Sequence, residues 1–462
     1  MLFSSITFLY YFLPIVLVLY YVVPRKLKNF ILFLSSLVFY AWGEPKYVIL
    51  MLLSVLIGYL AGVLMDKLPK KPVMYVSVIL CFSFLIYFKY TNFFIDNVNA
   101  LLKVKIPALN VIMPIGISFY TFQIVSYILD VYRGKVKKQS NILALATYIS
   151  MFPQLIAGPI VRYSDINEQL ECRQHNADKI AYGIKRFIIG LSKKVLLANQ
   201  LGELCQIFAN SQDKSVAYYW LYALAAALHI YFDFSGYSDM AIGLGNLLGF
   251  SFMENFRYPF MSKSITEFWR RWHISLGSWF RDYVYIPLGG NRCKIGRQIF
   301  NIFVVWFLTG FWHGAQWNFI LWGVYFAILL IIEKVFLYKI LEKSKVFSRV
   351  YTLFFIIISF VIFNVNGIGE IGQYIRSMFF MGDNPIVSGE YAYYLKSYGW
   401  ILGIAILGAT DVPVRIYKKC GKLKLVNVCL VVLEPIVLVG MLLLCTAYLV
   451  DGSFNPFLYF RF

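Results

Sequence analysis

The sequence predicts an all-α polytopic membrane protein, with about 11 transmembrane helices accompanied by re-entrant and amphipathic ones. Three observations carry this. Of 462 residues, 60% are hydrophobic and only 14% are charged, against roughly 25% charged in soluble domains. Charge-free runs recur along the chain, most of them approaching the ~20 residues a helix needs to cross a bilayer. Basic residues gather in short clusters between those runs, as the positive-inside rule requires. The balance of 43 basic against 23 acidic residues therefore reports topology and gives no support to nucleic-acid binding. Aromatics, at 19%, suit interfacial belts as well as a packed interior.

Taken in order, the run 6–23 has neither a basic leader nor a small-residue cleavage site, and its first charge is Arg25. It reads as a retained span. Further runs lie at 29–43, 47–65, 72–88, 106–129 and 139–161, then at 215–232, 240–253, 298–332, 350–369, 397–410 and 425–450, the last interrupted only by Glu434. Basic clusters at 25–28, 67–71 and 133–138 follow the first, third and fifth runs, which puts the N-terminus outside. Clusters at 334–349 and 415–424 leave the C-terminus outside as well. Segments 162–214 and 254–297 are too polar to span and read as cytoplasmic, with amphipathic or re-entrant helices. Keeping 162–214 inside requires 139–161 to dip in and return.

The run 298–332 would make a helix of roughly 50 Å, well beyond a ~30 Å hydrocarbon core. It should break at His313-Gly314-Ala315-Gln316, leaving His313 between two half-spans. In 265–283, Ile265, Phe268, Trp269, Trp272, Leu276, Trp279, Phe280 and Tyr283 recur at helical spacing, predicting one amphipathic helix. No repeat or soluble module interrupts the chain. We expect a single domain over 1–462, with its catalytic region at about 229–323 and an outer aromatic tail at 451–462.

The stretch 255–313 concentrates charges, aromatics and two of the four histidines. His313 is the sole His, Lys, Arg, Asp or Glu in its run. Burial there keeps an imidazole neutral and able to accept a proton. It reads equally as a base or as a neutral histidine bonded across a helix interface. His273 stands among Arg270, Arg271 and Arg281, with Glu267 and Asp282 nearby. That cluster suits an anionic cofactor, a phosphopantetheine or nucleotide phosphate, or simply lipid headgroups. Asp233 and Asp239 flank an expected helix break at Ser235-Gly236, as caps or as residues orienting a histidine. Glu434 and His229 are weaker intramembrane candidates, and His175 lies in a polar loop without a signal. Seven cysteines show no metal spacing, so neither a disulfide framework nor a metal site is expected. There is no Walker A, GxSxG or HExxH motif, which leaves nucleotide hydrolysis and zinc chemistry unsupported.

Three segments carry a resemblance: Phe268-Trp269-Arg270-Arg271-Trp272-His273-Ile274-Ser275-Leu276, the run from Arg281-Asp282-Tyr283 to Ile286-Pro287-Leu288-Gly289-Gly290-Asn291-Arg292, and Gly310-Phe311-Trp312-His313-Gly314. With Phe152-Pro153-Gln154-Leu155 and Tyr40-Ala41-Trp42-Gly43-Glu44-Pro45, they resemble the membrane-bound O-acyltransferase superfamily, most of all its bacterial alginate O-acetyltransferase branch. The resemblance implies helices ringing a funnel and a tunnel joining the membrane faces. It also implies catalysis by His313 assisted by His273, with Asn255, Trp269, Arg270, Arg271, Arg281 and Asp282 supporting the donor. The expected substrates are a cytosolic thioester, acetyl-CoA or an acyl carrier, and an extracellular polysaccharide. The expected setting is the bacterial plasma membrane, with an extracellular SGNH or esterase-like transferase as partner. The tail Phe454-Asn455-Pro456-Phe457-Leu458-Tyr459 resembles the C-terminus of a small partner in the D-alanylation system, making Tyr459 an acyl relay or an interfacial anchor. Two rivals stay open. One is D-alanyl transfer from a carrier protein to teichoic acid. The other is a transporter with broken helices, though only one clear break and no repeated half is found.

Overall fold

Most apolar runs become helices here. The computed structural model describes residues 1–365 and 367–452, and the described residues contain no strand. In chain order the helices begin with α1 (Leu13–Val22), α2 (Lys28–Ala41), α3 (Val48–Lys67), α4 (Lys70–Leu85), α5 (Thr91–Leu102), α6 (Ile117–Tyr132), α7 (Ile142–Ser150), α8 (Phe152–Leu155), α9 (Tyr163–Glu171), α10 (Ala177–Ser192), α11 (Asn199–Asn210) and α12 (Val216–Leu247). They continue with α13 (Ile265–Arg271), α14 (Ile274–Phe280), α15 (Ile295–His313), α16 (Trp317–Ile332), α17 (Tyr338–Lys343), α18 (Lys345–Asn364), α19 (Ile368–Met378), α20 (Gly389–Gly408), α21 (Val412–Cys420) and α22 (Lys424–Val450). Tyr459 lies outside the described residues.

The fold is that of a multi-pass membrane protein. Among the described residues, six helices are long and apolar enough to cross a membrane, and seven if α20 and α21, bent by 69° at their junction, form one span. The sequence runs suggested about 11. The difference arises because several runs make shorter helices: Phe8–Val22 forms 15 residues of helix, and α7 has nine, about 14 Å of rise. After α7 and α8 the chain from 156 to 161 is irregular but buried, where such backbone is tolerated at membrane depth. The run 106–129 is helical only from Ile117. Pro107 and Pro114 disfavour helix before them.

The chain divides into two compact units, Met1–Phe187 with Ser238–Glu254, and Ile188–Tyr237 with the described part of Asn255–Phe462. In the first, α3, α4, α6 and α7 pack on one another and α2 packs on α7. Arg186 is bound there by two carboxylates, Asp239 at 2.6 Å and Glu254 at 2.6 Å. The second unit holds both sequence-predicted catalytic histidines.

Two expectations about breaks meet different outcomes. α12 runs through Ser235-Gly236 without a break, so neither Asp233 nor Asp239 caps a half-helix. Gly236 instead permits a close helix contact: a Cβ there would lie 2.7 Å from the Gly190 carbonyl oxygen. Asp233 pairs with Lys194 at 2.5 Å, both side chains almost fully buried. By contrast, 298–332 does break after His313. The products are not half-spans, since α15 has 19 residues and Trp317–Lys343 is 27 residues of continuous helix. Each is about as long as a bilayer core or longer, because the helices run on past the charges that bounded the apolar run. α15 and α16 pack closely where Gly310 meets Gly323; a Cβ on Gly310 would come within 3.0 Å of the Gly323 Cα. Small residues at such a crossing let the backbones touch.

Removing one member of the buried Lys194–Asp233 pair strands the other charge, which costs about 3–5 kcal/mol. Asp233→Leu should therefore lower the melting temperature in detergent sharply, and the double variant Asp233→Leu/Lys194→Met should recover most of the loss.

Candidate active site

The local structure around His273 starts from two anchors. Ser264 caps α13 by accepting the Glu267 N–H at 2.9 Å. Glu333, fully buried at the end of α16, accepts the N–H of Ile265 at 2.5 Å, the N–H of Thr266 at 2.9 Å and the Thr266 hydroxyl at 2.7 Å. A carboxylate at a helix N-terminus satisfies free N–H groups and meets the positive end of the dipole. The expected single helix over 265–283 is absent. α13 ends at Arg271, His273 adopts a left-handed conformation (φ 45°), and α14 begins at Ile274. A non-glycine residue in that region costs of order 1–3 kcal/mol and persists only where its surroundings hold it.

Asn255 does the holding. Its backbone carbonyl accepts the Ile274 N–H at 3.0 Å. Its side-chain Oδ1 accepts the Ser275 N–H at 3.1 Å and the Ser275 hydroxyl at 2.9 Å, and lies 3.2 Å from His273 Nδ1. The Ser275 N–H can only donate, so the amide atom facing it is the oxygen, and an amide oxygen can only accept. His273 Nδ1 therefore carries the proton, and Nε2 presents a lone pair. Nε2 is buried and has no hydrogen-bond partner among the described residues. Phe234 meets the ring edge-on at 4.6 Å. His273 lies outside the six spanning helices. Burial first, and the charge of His313 second, hold its imidazole well below its usual range.

His273 lines a cavity of ≈ 1030 Å³ together with Trp269, Arg270, Arg281, Thr309, Lys334 and Lys339, among others. The four cations are exposed, and Lys334 is steadied by Asn291 Oδ1 at 3.1 Å. The lining thus combines four exposed cations with a buried proton acceptor. On α15 the lining positions are Ile302, Val305, Trp306 and Thr309. His313 falls one helical turn beyond Thr309 on that same stripe. Its ring packs against Trp322 at 5.0 Å, Phe363 at 5.3 Å and Trp312 at 5.0 Å; Trp312 in turn lies 6.2 Å from the His273 ring.

The remaining sequence candidates divide. Trp269, Arg270 and Arg281 reach the cavity, and Asn255 acts on it through His273. Asp282 binds Arg281 at 2.7 Å. Arg271 turns to Glu267 at 2.5 Å and is not among the lining residues. Asp233 and Asp239 sit in the ion pairs described above. His229 is buried in α12, and Glu434 accepts the Tyr417 hydroxyl at 2.8 Å. Sequence reasoning missed Glu333, Lys334, Lys339, Thr309 and Lys194. Glu333 had a signal, as an acid directly ending a long apolar run. No group of metal-ligating side chains occurs among the described residues.

Compared with known proteins, residues 34–369 match MBOAT, the membrane-bound O-acyltransferase family. That interval contains every residue of the cavity and both histidines. The chain is 41% identical over 395 residues to the probable alginate O-acetylase AlgI of Azotobacter vinelandii, covering 83% of this chain and 79% of that protein. It is 32% identical over 419 residues to the peptidoglycan O-acetyltransferase of Helicobacter pylori, covering 82% and 80%. With the teichoic acid D-alanyltransferase of Bacillus subtilis it shares 31% over 278 residues, covering 56% and 70%.

The Asn255 contact predicts a spectroscopic signature. In ¹⁵N-histidine NMR, His273 should show the neutral Nδ1–H tautomer at pH 7 and stay neutral as pH falls through the ordinary histidine value of about 6.5. The unfolded chain does protonate there, so stability should fall as pH drops below that value. Asn255→Asp keeps an accepting oxygen, adds a negative charge and should raise the titration point. An Nε2–H tautomer would contradict the assignment.

Proposed function

The chain belongs to the membrane-bound O-acyltransferase family, and from that premise we propose that it transfers acetyl from a cytosolic thioester, acetyl-CoA, for O-acetylation of an extracellular polysaccharide or cell-wall polymer. The observation that carries the reading is the cavity, whose lining combines a buried proton acceptor, His273, with Arg270, Arg281, Lys334 and Lys339. Arginine and lysine suit the phosphates of a nucleotide-bearing thioester. Relatives named for O-acetylation match over four-fifths of the chain, whereas the D-alanyltransferase of Bacillus subtilis matches over 56% of it. That difference favours acetyl over D-alanyl.

In the proposed reaction, neutral His313 takes the proton of the acceptor hydroxyl as its oxygen attacks the thioester carbonyl carbon. The carbon–sulfur bond then breaks, and the departing thiolate recovers the proton from His313. His273 offers a lone pair rather than a second N–H. It can accept a hydrogen bond from the imidazolium that forms on His313 or from the incoming hydroxyl. Repulsion between charges on the two rings disfavours protonation of both at once. Trp269, packed on Trp306 at 4.5 Å and Phe326 at 4.8 Å, gives the cavity an apolar wall, and apolar walls strengthen electrostatic interactions within. On this reading Tyr459 in the C-terminal tail is an acyl relay to an extracellular esterase-like transferase.

Membranes supplied with radiolabelled acetyl-CoA test both steps. His313→Ala should lower transfer at least 10²-fold, the usual scale for a general base, while CoA still binds. Tyr459→Phe should abolish label on the polymer while leaving the protein folded; full polymer labelling in that variant would remove the relay. Transfer unaffected by His313→Ala would remove the base.

A further inference from the structure

A second cationic cluster lies in the first unit, whereas the histidines just described belong to the second. His175 reads in the sequence as an uninformative loop residue, yet its Nε2 meets the Tyr20 hydroxyl at 3.0 Å. That hydroxyl donates to the Leu248 carbonyl at 2.6 Å and accepts from Arg173 Nη1 at 3.3 Å. Since the Tyr20 proton is committed to Leu248, His175 donates from Nε2. Arg173 also donates to Asn29 Oδ1 and stacks over Phe250, 4.7 Å from the ring centre. Lys28 Nζ stands 4.5 Å from the Tyr20 ring centre and 5.2 Å from that of Tyr21.

These cations meet one another without an acid between them. The charges acting on Lys28 are Arg173 and Arg25, and those acting on His175 are Lys28, Arg173 and Arg25. Among the described residues, Arg173 interacts electrostatically with the Tyr20 phenol and with no carboxylate. Aromatic faces offset part of such repulsion, but they supply no counter-charge. An anion is the missing element.

We propose that Arg25, Lys28 and Arg173 bind the phosphate of an anionic phospholipid headgroup. The surroundings favour a lipid over a free phosphate. The cluster lies where the apolar α1 ends and α2 begins, and these two helices pack together. Exposed apolar residues one turn apart lead away along each helix, Val18 (62%) and Val22 (79%) on α1, Phe30 (47%) and Leu34 (48%) on α2. Those stripes suit acyl chains, and basic residues at the end of a membrane segment suit their headgroup. Such a site would tie the first two helices to the cytoplasmic leaflet. The proposal is independent of acetyl transfer.

The full-length protein, delipidated in non-ionic detergent, should bind phosphatidylglycerol in native mass spectrometry in preference to phosphatidylcholine. Lys28→Gln/Arg173→Gln should weaken that binding about tenfold or more, and Lys28→Arg should retain it. Because Arg173 also holds Tyr20 and Asn29, Lys28→Gln alone, which removes only ring contacts, provides a variant with less risk to folding and should weaken binding severalfold. Equal binding of phosphatidylcholine, or unchanged phosphatidylglycerol binding in the variants, would overturn the site. Inorganic phosphate competing at equal concentration would make it a free-phosphate site and overturn the lipid assignment.

Discussion

One amide oxygen shapes the candidate active site. Asn255 Oδ1 meets two donors of Ser275 and the ring of His273, while its backbone oxygen holds Ile274. These contacts stabilise a left-handed turn at a histidine, end one helix and start another, and choose which ring nitrogen keeps its lone pair. Without them, 265–283 would be free to take the continuous helix its apolar period favours. His273 would then lose the fixed orientation that gives the cavity a proton acceptor. The chemistry assigned to the site rests on this constraint first and on His313 second.

The scaffold serves the same end through buried charges and close helix contacts. Glu333 ties the start of α13 to the end of α16, and α16 packs along α15. The helix that ends in His313 and the helix that leads to His273 are thereby held to a common neighbour. A carboxylate buried in this way specifies one arrangement, because any other takes from its oxygens the donors of Ile265 and Thr266. Water moderates the mutual repulsion of the exposed lysines and arginines that line the cavity.

Much of this was legible in the residues. Family membership follows from long motifs, and the turn after His313 follows from length alone, since no single span needs so long an apolar run. The kink at His273 was not legible. Its cause, Asn255, lies 18 residues upstream, and helical periodicity reports only neighbours within a turn or two. Asp233 looked like a cap beside a glycine break, because its partner Lys194 is distant in sequence and Gly236 serves packing instead. Glu333 acts on Ile265 across 68 residues. The late start of α6 at Ile117, by contrast, was foreseeable from Pro107 and Pro114, and counting charge-free residues concealed it.

The central claim is that the cavity beside His273 receives the thioester donor. A cryo-electron microscopy map of the protein with coenzyme A tests it most directly. The account predicts phosphate density against Arg281, Lys334 and Lys339, with the thiol end directed towards His273 Nε2. Coenzyme A bound away from this cavity, with the cavity left empty, would contradict it.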